Sequence, residues 1–354
     1  MIVAVVTRGC PPLFSATAMA MGAQAEPPAA FRRHGPLLLP LLLTAMAAFL
    51  FPVATGTTHA DLVNAVTKDC TLILDSDVTM TASLPDVNTA ACPEVKLIGR
   101  CSAGLCKIDG AKKFSFIRNA ERLHLENLEI TRCRCGKGQA AAAIRADVAV
   151  IKNCRITHNK DEGGGGVVHL WEAQMTVENS VFSHNHGRTG GAIVLDSFST
   201  LNATDVVFRY NTAVRGGAIE NVESNLVCER CSFLDNDAQD GGAVYLIDDD
   251  GTEATFRDCQ FVRNRARRRG GMGGAVYVGR IDPGAKFCNC KFAENSVTSG
   301  KTRQQVVNHV WIDIKSDDYG NVTFCPSKPA SGIWIHPGFI IKEDCAVCTS
   351  ANDF

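Results

Sequence analysis

Short apolar runs that alternate with polar residues recur along this chain, at Met175 and Val177, Leu226 and Cys228, and around Phe256 and Phe287. Alternation at period two is the mark of half-buried strands. Between Asn153 and Asn295 the runs fall into a repeated phrase: CRITHN, SVFSHN, VVFRYN, CSFLDN, CQFVRN and CKFAEN. The closing residues are Asn159, Asn185, Asn211, Asn236, Asn264 and Asn295, separated by 26, 26, 25, 28 and 31 positions. A period of this length predicts a solenoid whose units stack. The block contains no helical pattern of ten residues and no leucine lattice. Coils of about 25 residues with short strands therefore predict a parallel β-helix.

Stacking converts the repeat into columns of like residues about 4.8 Å apart. The inward column is Ile156, Phe182, Phe208, Phe233, Phe261 and Phe292. Two residues earlier comes a small-residue ladder of Cys154, Ser180, Val206, Cys231, Cys259 and Cys290. The Asn column is expected to take left-handed backbone and to bond the next coil's turn through its amides. Gly-Gly pairs at 190/191, 216/217, 241/242 and 273/274 allow sharp corners against a neighbouring coil.

The GGAI or GGAV tetrapeptides (Gly190–Ile193, Gly216–Ile219, Gly241–Val244, Gly273–Val276), paired with FxxN, resemble the repeats of the polymorphic outer-membrane proteins of chlamydiae. They are also similar to the wider pectin-lyase-like class. The resemblance covers roughly residues 95–300. It implies an all-β, single-stranded, right-handed parallel β-helix of about ten coils, and in the chlamydial family a surface adhesin passenger. No segment after Gly300 is long enough for that family's membrane β-barrel.

Four regions follow. Residues 1–60 read as a presequence: Arg32 and Arg33, an apolar run Leu37–Val53 broken by Pro40 and Pro52, then Thr58-His59-Ala60. This describes a secretory signal peptide cut after Ala60, with an uncleaved anchor as the alternative. Met19 or Met21 is the more natural start. Residues 61–95 form an N-terminal cap, with Asp61 capping a short helix through Leu62, Val63 and Val66 and LILD at Leu72–Asp75 as the first strand. Residues 96–300 are the repeat core, in which LHLENLEITRC (Leu123–Cys133) is the first near-regular coil. Residues 301–354 hold final strands (HVWIDI, NVTF, GIWI) and a closing cap.

Composition refines the picture. A net charge of −1 over 354 residues gives no reason to expect a nucleic-acid partner, and 45% hydrophobic content supplies one large core. The 16 cysteines, together with the presequence, point to an oxidising compartment. Cys228/Cys231 and Cys345/Cys348 are CxxC pairs without a second pair at zinc spacing. Cys231, Cys259 and Cys290 are either buried thiols or partly bridged, with buried thiols favoured. Cys70, Cys92, Cys101, Cys106, Cys345 and Cys348 are the better disulfide candidates. No cofactor or metal is expected, although His158, His184 and His186 cluster near successive corners.

Candidate chemistry lies on one flank. The column after the inward GGAI residue reads Arg145, His169, Val194, Glu220, Tyr245, Tyr277 and should face solvent. Arg, His, Glu and two Tyr in line would cradle a sugar chain, or the tyrosines would simply stack on each other. A further outward column is expected at Glu172, Ser197, Glu223, Asp248 and Arg280. The loop Arg265, Arg267, Arg268 and Arg269 is a candidate anion site for sulfated or uronic sugars, or a solvated corner. The acidic DDDGTE run (Asp248–Glu253) lies at a different corner and is not paired with it. Asn202 and Asn321 open N-glycosylation sequons. Pectin-hydrolase Asp pairs, a Gly-His-Gly turn and the pectate-lyase calcium set are all unrecognisable. The expectation is therefore a secreted or cell-surface β-helix in adhesion or glycan binding, meeting a polysaccharide, a cell-surface glycan or a protein, and a membrane only if the signal segment is retained. A polysaccharide lyase, hydrolase or epimerase is the alternative.

Overall fold

A computed structural model describes residues 56–136, 141–247, 252–268, 270–281, 283–298, 304–314, 320–337 and 339–348. The expected signal segment lies outside the described residues up to position 55.

The chain enters through the helix His59–Asn64, and its N-cap is Thr58 rather than Asp61. Asp61 sits at the third helical position and closes a capping box, accepting from the Thr58 backbone N–H at 2.8 Å. Asp61 is too deep in the first turn to cap it, whereas Thr58 has the extended backbone a cap needs. Thr57 also bonds Asp75 through both its backbone N–H and its hydroxyl. The cap thus begins upstream of Ala60, and a cut after Ala60 would remove its first contacts. A π-helical turn Ala65–Asp69 follows, with Leu62 and Val66 buried against the first coil.

Beyond the cap the chain winds as a parallel β-helix with three faces. The first face carries the GGAI strands Val168–Trp171, Ile193–Asp196, Ile219–Val222, Val244–Ile247 and Val276–Val278, then Val310–Ile312 and Ile333–Ile335. The second face runs in register from Thr71–Leu74 to Asn321–Cys325. The third face is a sheet of 9 strands, from Val78–Thr79 to Lys291–Ala293, and so counts nine turns, with part of a tenth above them. The strands Ile117–Glu126 and Ile144–Lys152 pass from first to second face without a break, which marks the early coils as less angular than the later ones.

Register puts like on like inside. Phe182, Phe208, Phe233, Phe261 and Phe292 stack with ring centroids 5.3, 5.0, 4.7 and 4.9 Å apart. A second stack, Phe256, Phe287 and Phe324, stands against it edge to face.

The Asn column is buried throughout and is the polar spine of the molecule. Each Oδ1 accepts the backbone N–H of its counterpart one coil earlier: Asn159 to Asn185 at 3.1 Å, Asn185 to Asn211 at 3.1 Å and Asn211 to Asn236 at 3.0 Å. Each Nδ2 donates to the carbonyl of the previous coil's inward residue, as Asn211 does to Phe182 at 2.9 Å. The left-handed backbone expected of the Asn falls one residue earlier, on His158, His184, Tyr210, Asp235, Arg263 and Glu294. The reason is steric: the turn must occur before the amide points inward. The spine ends at Asn295, whose Nδ2 lies 3.2 Å from His309 Nδ1. Burial lowers the His309 imidazole below its ordinary range, so a neutral ring meets the amide.

The glycine pairs divide their work. The first glycine of each pair has positive φ, 53° at Gly190 and 58° at Gly216. The second lets coils touch, since a Cβ on Gly191 would strike the Gly217 carbonyl oxygen and one on Gly217 that of Gly242.

Disulfides close both ends: Cys70–Cys92 and Cys101–Cys106 near the start, Cys288–Cys348 and Cys325–Cys345 at the finish. The six expected cysteines are all bridged, with Cys288 and Cys325 as the unforeseen partners. Cys133, Cys135, Cys154, Cys228, Cys231, Cys259 and Cys290 remain thiols. Burial pushes Cys133 and Cys154 up to about 12, which keeps them unreactive.

Replacing Asn211 with Ala leaves the buried Asn185 N–H without its partner and removes the amide's bond to the Phe182 carbonyl. The expected cost is about 3 kcal/mol by urea unfolding, against under about 0.5 kcal/mol for Thr176→Ala on the outward face.

Candidate functional site

The flank column forms in the expected register. His169 pairs with Val194, Val194 with Glu220, Glu220 with Tyr245, and Tyr245 with Tyr277. Arg145 follows Ile144, the register partner of Val168, and so begins the column. Two further members went unread in the sequence, Trp311 and Trp334, which continue it in register. They follow the same inward Val or Ile as the earlier members, but without a GGAI motif to flag them.

Solvent exposure does not follow the expectation. Glu220 is 1% exposed, Val194 5% and Tyr277 7%. The flank is covered in part, with Arg145, His169 and Tyr245 half exposed and Glu220 beneath the turn that carries Arg215. The extra glycines Gly163–Gly166 form another such turn. Asp161 holds it, accepting from Gly163 N–H at 2.5 Å and Ala141 N–H at 3.3 Å, and Thr189 Oγ1 donates to the Gly164 carbonyl at 3.0 Å. Burial raises the Asp161 carboxyl above its usual range.

Beneath this turn lies an open cleft of about 430 Å³, lined by Gly163, Gly165, His169, Thr189, Asp196, Arg215 and Glu220, with Val194 and Val222 as its apolar floor. Its volume is in the range of small-ligand pockets. Arg215 is the residue sequence reasoning missed. It precedes Gly216-Gly217 as Thr189 precedes Gly190-Gly191, and the two pair across coils. Reading one position upstream of each glycine pair would have found both. Arg215 Nη2 lies 2.7 Å from Glu220 Oε1, and its guanidinium sits 5.4 Å from the centre of the Tyr245 ring.

The tyrosines stack on each other at 4.6 Å, and Trp311 on Trp334 at 3.8 Å. The tyrosines thus stack as a cross-strand pair, with Tyr245 still half exposed. Tyr277 Oη also donates to Asp313 at 3.3 Å. Burial, with Tyr245 and Asp313 adding to it, raises the Tyr277 hydroxyl.

The other candidates are placed elsewhere. Arg265 and Arg267 both pair with Asp237, at 2.5 and 2.6 Å, and Arg268 with Asp240 at 3.2 Å. These carboxylates stand one coil earlier, so three cations share two carboxylates and each is engaged with the neighbouring coil. Arg269 lies outside the described residues. Glu172, Ser197 and Glu223 do not form an outward strand column, because they occupy the left-handed corner after the first face, with φ of 51°, 52° and 51°. Asp248 lies outside the described residues. His158 stacks on His184 at 4.7 Å, while His186 Nδ1 meets Thr212 Oγ1 at 2.8 Å. Among the described residues no group of three or more His, Cys, Asp or Glu is placed to hold a metal ion. Asn202 points outward on the second face between Thr176 and Val227, and Asn321 is likewise half exposed at the start of its strand.

A family profile described as right handed beta helix region matches residues 99–309. The chain belongs to the right-handed β-helix family. No curated protein and no solved structure matches it. The matched span holds the spine, the cleft and the stacked pair Tyr245 and Tyr277 of this β-helix, and leaves out the helical cap and the Cys325–Cys345 disulfide.

Burial is the main cause of both titration shifts in the cleft. It raises the Glu220 carboxyl, with Arg215 opposing it, and lowers His169, with Arg145 reinforcing it. His169 Nδ1 is buried without a partner. A raised carboxyl favours the fold at low pH, and that contribution is lost as pH rises through its folded value. A lowered imidazole disfavours the fold as pH falls through its ordinary value of 6.5. Glu220→Gln is therefore expected to gain stability relative to wild type as pH rises from 4 to 7. His169→Gln is expected to gain as pH falls from 7.5 to 5. Chemical denaturation at fixed pH values checks both.

Proposed function

We propose that this right-handed β-helix is a secreted or cell-surface glycan-binding protein, and that the cleft between the Gly163–Gly166 turn and Glu220 is its recognition site. One observation carries the reading. Side chains from three successive coils (His169, Asp196 with Thr189, and Arg215 with Glu220) converge on a polar cleft with a small apolar floor. Donors and acceptors set around a hydrophobic patch match the hydroxyl rim and C–H face of a sugar ring. The chlamydial-type GGAI/FxxN repeats support an adhesive role at a surface. The disulfides at both ends and the two outward sequon asparagines support an oxidising, secretory route.

A polysaccharide-cleaving role is the second reading. It is favoured by a carboxyl held toward its protonated form at Glu220 and an imidazole held neutral at His169 within the same cleft, an acid and a base of opposite protonation state.

The test exposes the purified protein to immobilised neutral, sulfated and uronic glycans, with reducing ends and unsaturated products read alongside. Retention without products, falling at least about tenfold on Arg215→Ala, supports recognition. Products that disappear on His169→Ala or Glu220→Gln replace it with catalysis. Neither retention nor products on any glycan overturns both readings.

A further inference from the structure

The cysteine ladder on the third face has an open end. Cys231, Cys259 and Cys290 are consecutive rungs, since their following residues Ser232, Gln260 and Lys291 are register partners. Cys231 and Cys259 are buried, while Cys290 is half exposed. The difference has a plain cause. Lys291–Ala293 is the last strand of this face, so no strand of the face stacks on it, although just before Cys290 the Asn289 N–H still meets the Cys325 carbonyl of the next coil. The Cys290 thiol lies 3.4 Å from the Phe256 carbonyl oxygen, at the upper edge of the core. Beside the ladder runs a surface groove of about 300 Å³ that borders Cys231 and Cys259 between Arg230 and Lys291 and stops short of Cys290.

We propose that Cys259 and Cys290 form a redox couple, oxidised by hydroperoxides through the uncovered end of the ladder to a disulfide joining the last two coils of the third face. The Cys290 sulfur attacks a peroxide oxygen, the O–O bond breaks, and the departing hydroxide leaves as water with the thiol proton. The Cys259 sulfur then attacks the Cys290 sulfenic acid. The S–O bond breaks, a second water departs, and the S–S bond forms. Two thiols lose two electrons and two protons, and hydrogen peroxide becomes two waters. Rungs of adjacent parallel strands stand about 4.8 Å apart, within the Cα range of a disulfide. Bridges already present in the chain span 5.0 to 5.7 Å. Closing the bond draws the two Cβ atoms together by about 1 Å or less, which the last coil can allow because nothing is stacked above it on this face. Burial raises the Cys259 thiol, which keeps it protonated toward oxidants in solvent and leaves a sulfenic acid on the adjoining rung as the electrophile within its reach.

The experiment treats the folded full chain, disulfides intact, with hydrogen peroxide. Remaining thiols are then blocked after unfolding, and mass and non-reduced peptides are read. The expected result is the loss of two thiols per chain, a mass decrease of about 2 Da for the two protons removed, and a peptide pair linked through Cys259 and Cys290. Cys290→Ser abolishes the loss. Cys259→Ala, which leaves the exposed rung in place, diverts Cys290 to sulfinic acid. An unchanged thiol count overturns the proposal. So does a wild-type Cys290 that reaches sulfinic or sulfonic acid with Cys259 free, or a linkage between Cys231 and Cys259.

Discussion

The constraint on which this molecule depends is self-stacking. Each side chain in a coil meets its own counterpart about 4.8 Å above and below, so a residue type can repeat only if it is compatible with itself. The carboxamide of Asn satisfies this, because it carries both a donor and an acceptor. The result is a buried spine in which each amide closes one backbone N–H and one carbonyl of the previous coil. The N–H lies at a corner outside the strand ladders, and left alone it would cost about 1–3 kcal/mol. Serine does the same at another corner, where Ser224 Oγ accepts from Ser199 N–H and Ser199 Oγ from Ala173 N–H. Phenylalanine repeats by ring stacking and cysteine by its small volume.

Charges cannot repeat in this way and are matched between coils. Asp205 pairs with Arg230, Asp235 with Arg263, and Asp237 with Arg265 across successive turns. The arginine-rich loop belongs to this pattern. Arg265, Arg267 and Arg268 pair with Asp237 and Asp240 of the coil below, which makes the loop part of the coil stacking.

A perfectly regular solenoid offers no concavity, so a site must arise where regularity lapses. The four-glycine turn at Gly163–Gly166 is such a lapse. It lifts a roof over the first face and, with Arg215, encloses Glu220 in a partly desolvated cleft. The two ends are lapses of another kind. An open coil exposes strand edges and core, and here helix and disulfides cover one end while two disulfides tie down the other. The third face finishes a turn before the others, and Cys290 is left at its margin.

What the sequence determined by itself is everything periodic. The repeats from CRITHN to CKFAEN contain the parallel coil, the inward Phe column, the Asn column and the order of the flank from Arg145 to Tyr277. In a stacked solenoid, sequence period and spatial neighbour are the same fact. The tertiary structure decided what depends on neighbours of unlike sequence. It placed Arg215 on Glu220, because that contact joins a turn to a strand and no repeat position encodes it. It buried Glu220 and Tyr277, because exposure depends on which turn folds over a strand. It turned the tyrosine faces toward each other, matched Arg265, Arg267 and Arg268 to Asp237 and Asp240, and chose Cys288 and Cys325 as disulfide partners. Local pattern specifies the direction a side chain points. What waits there is set by packing between coils.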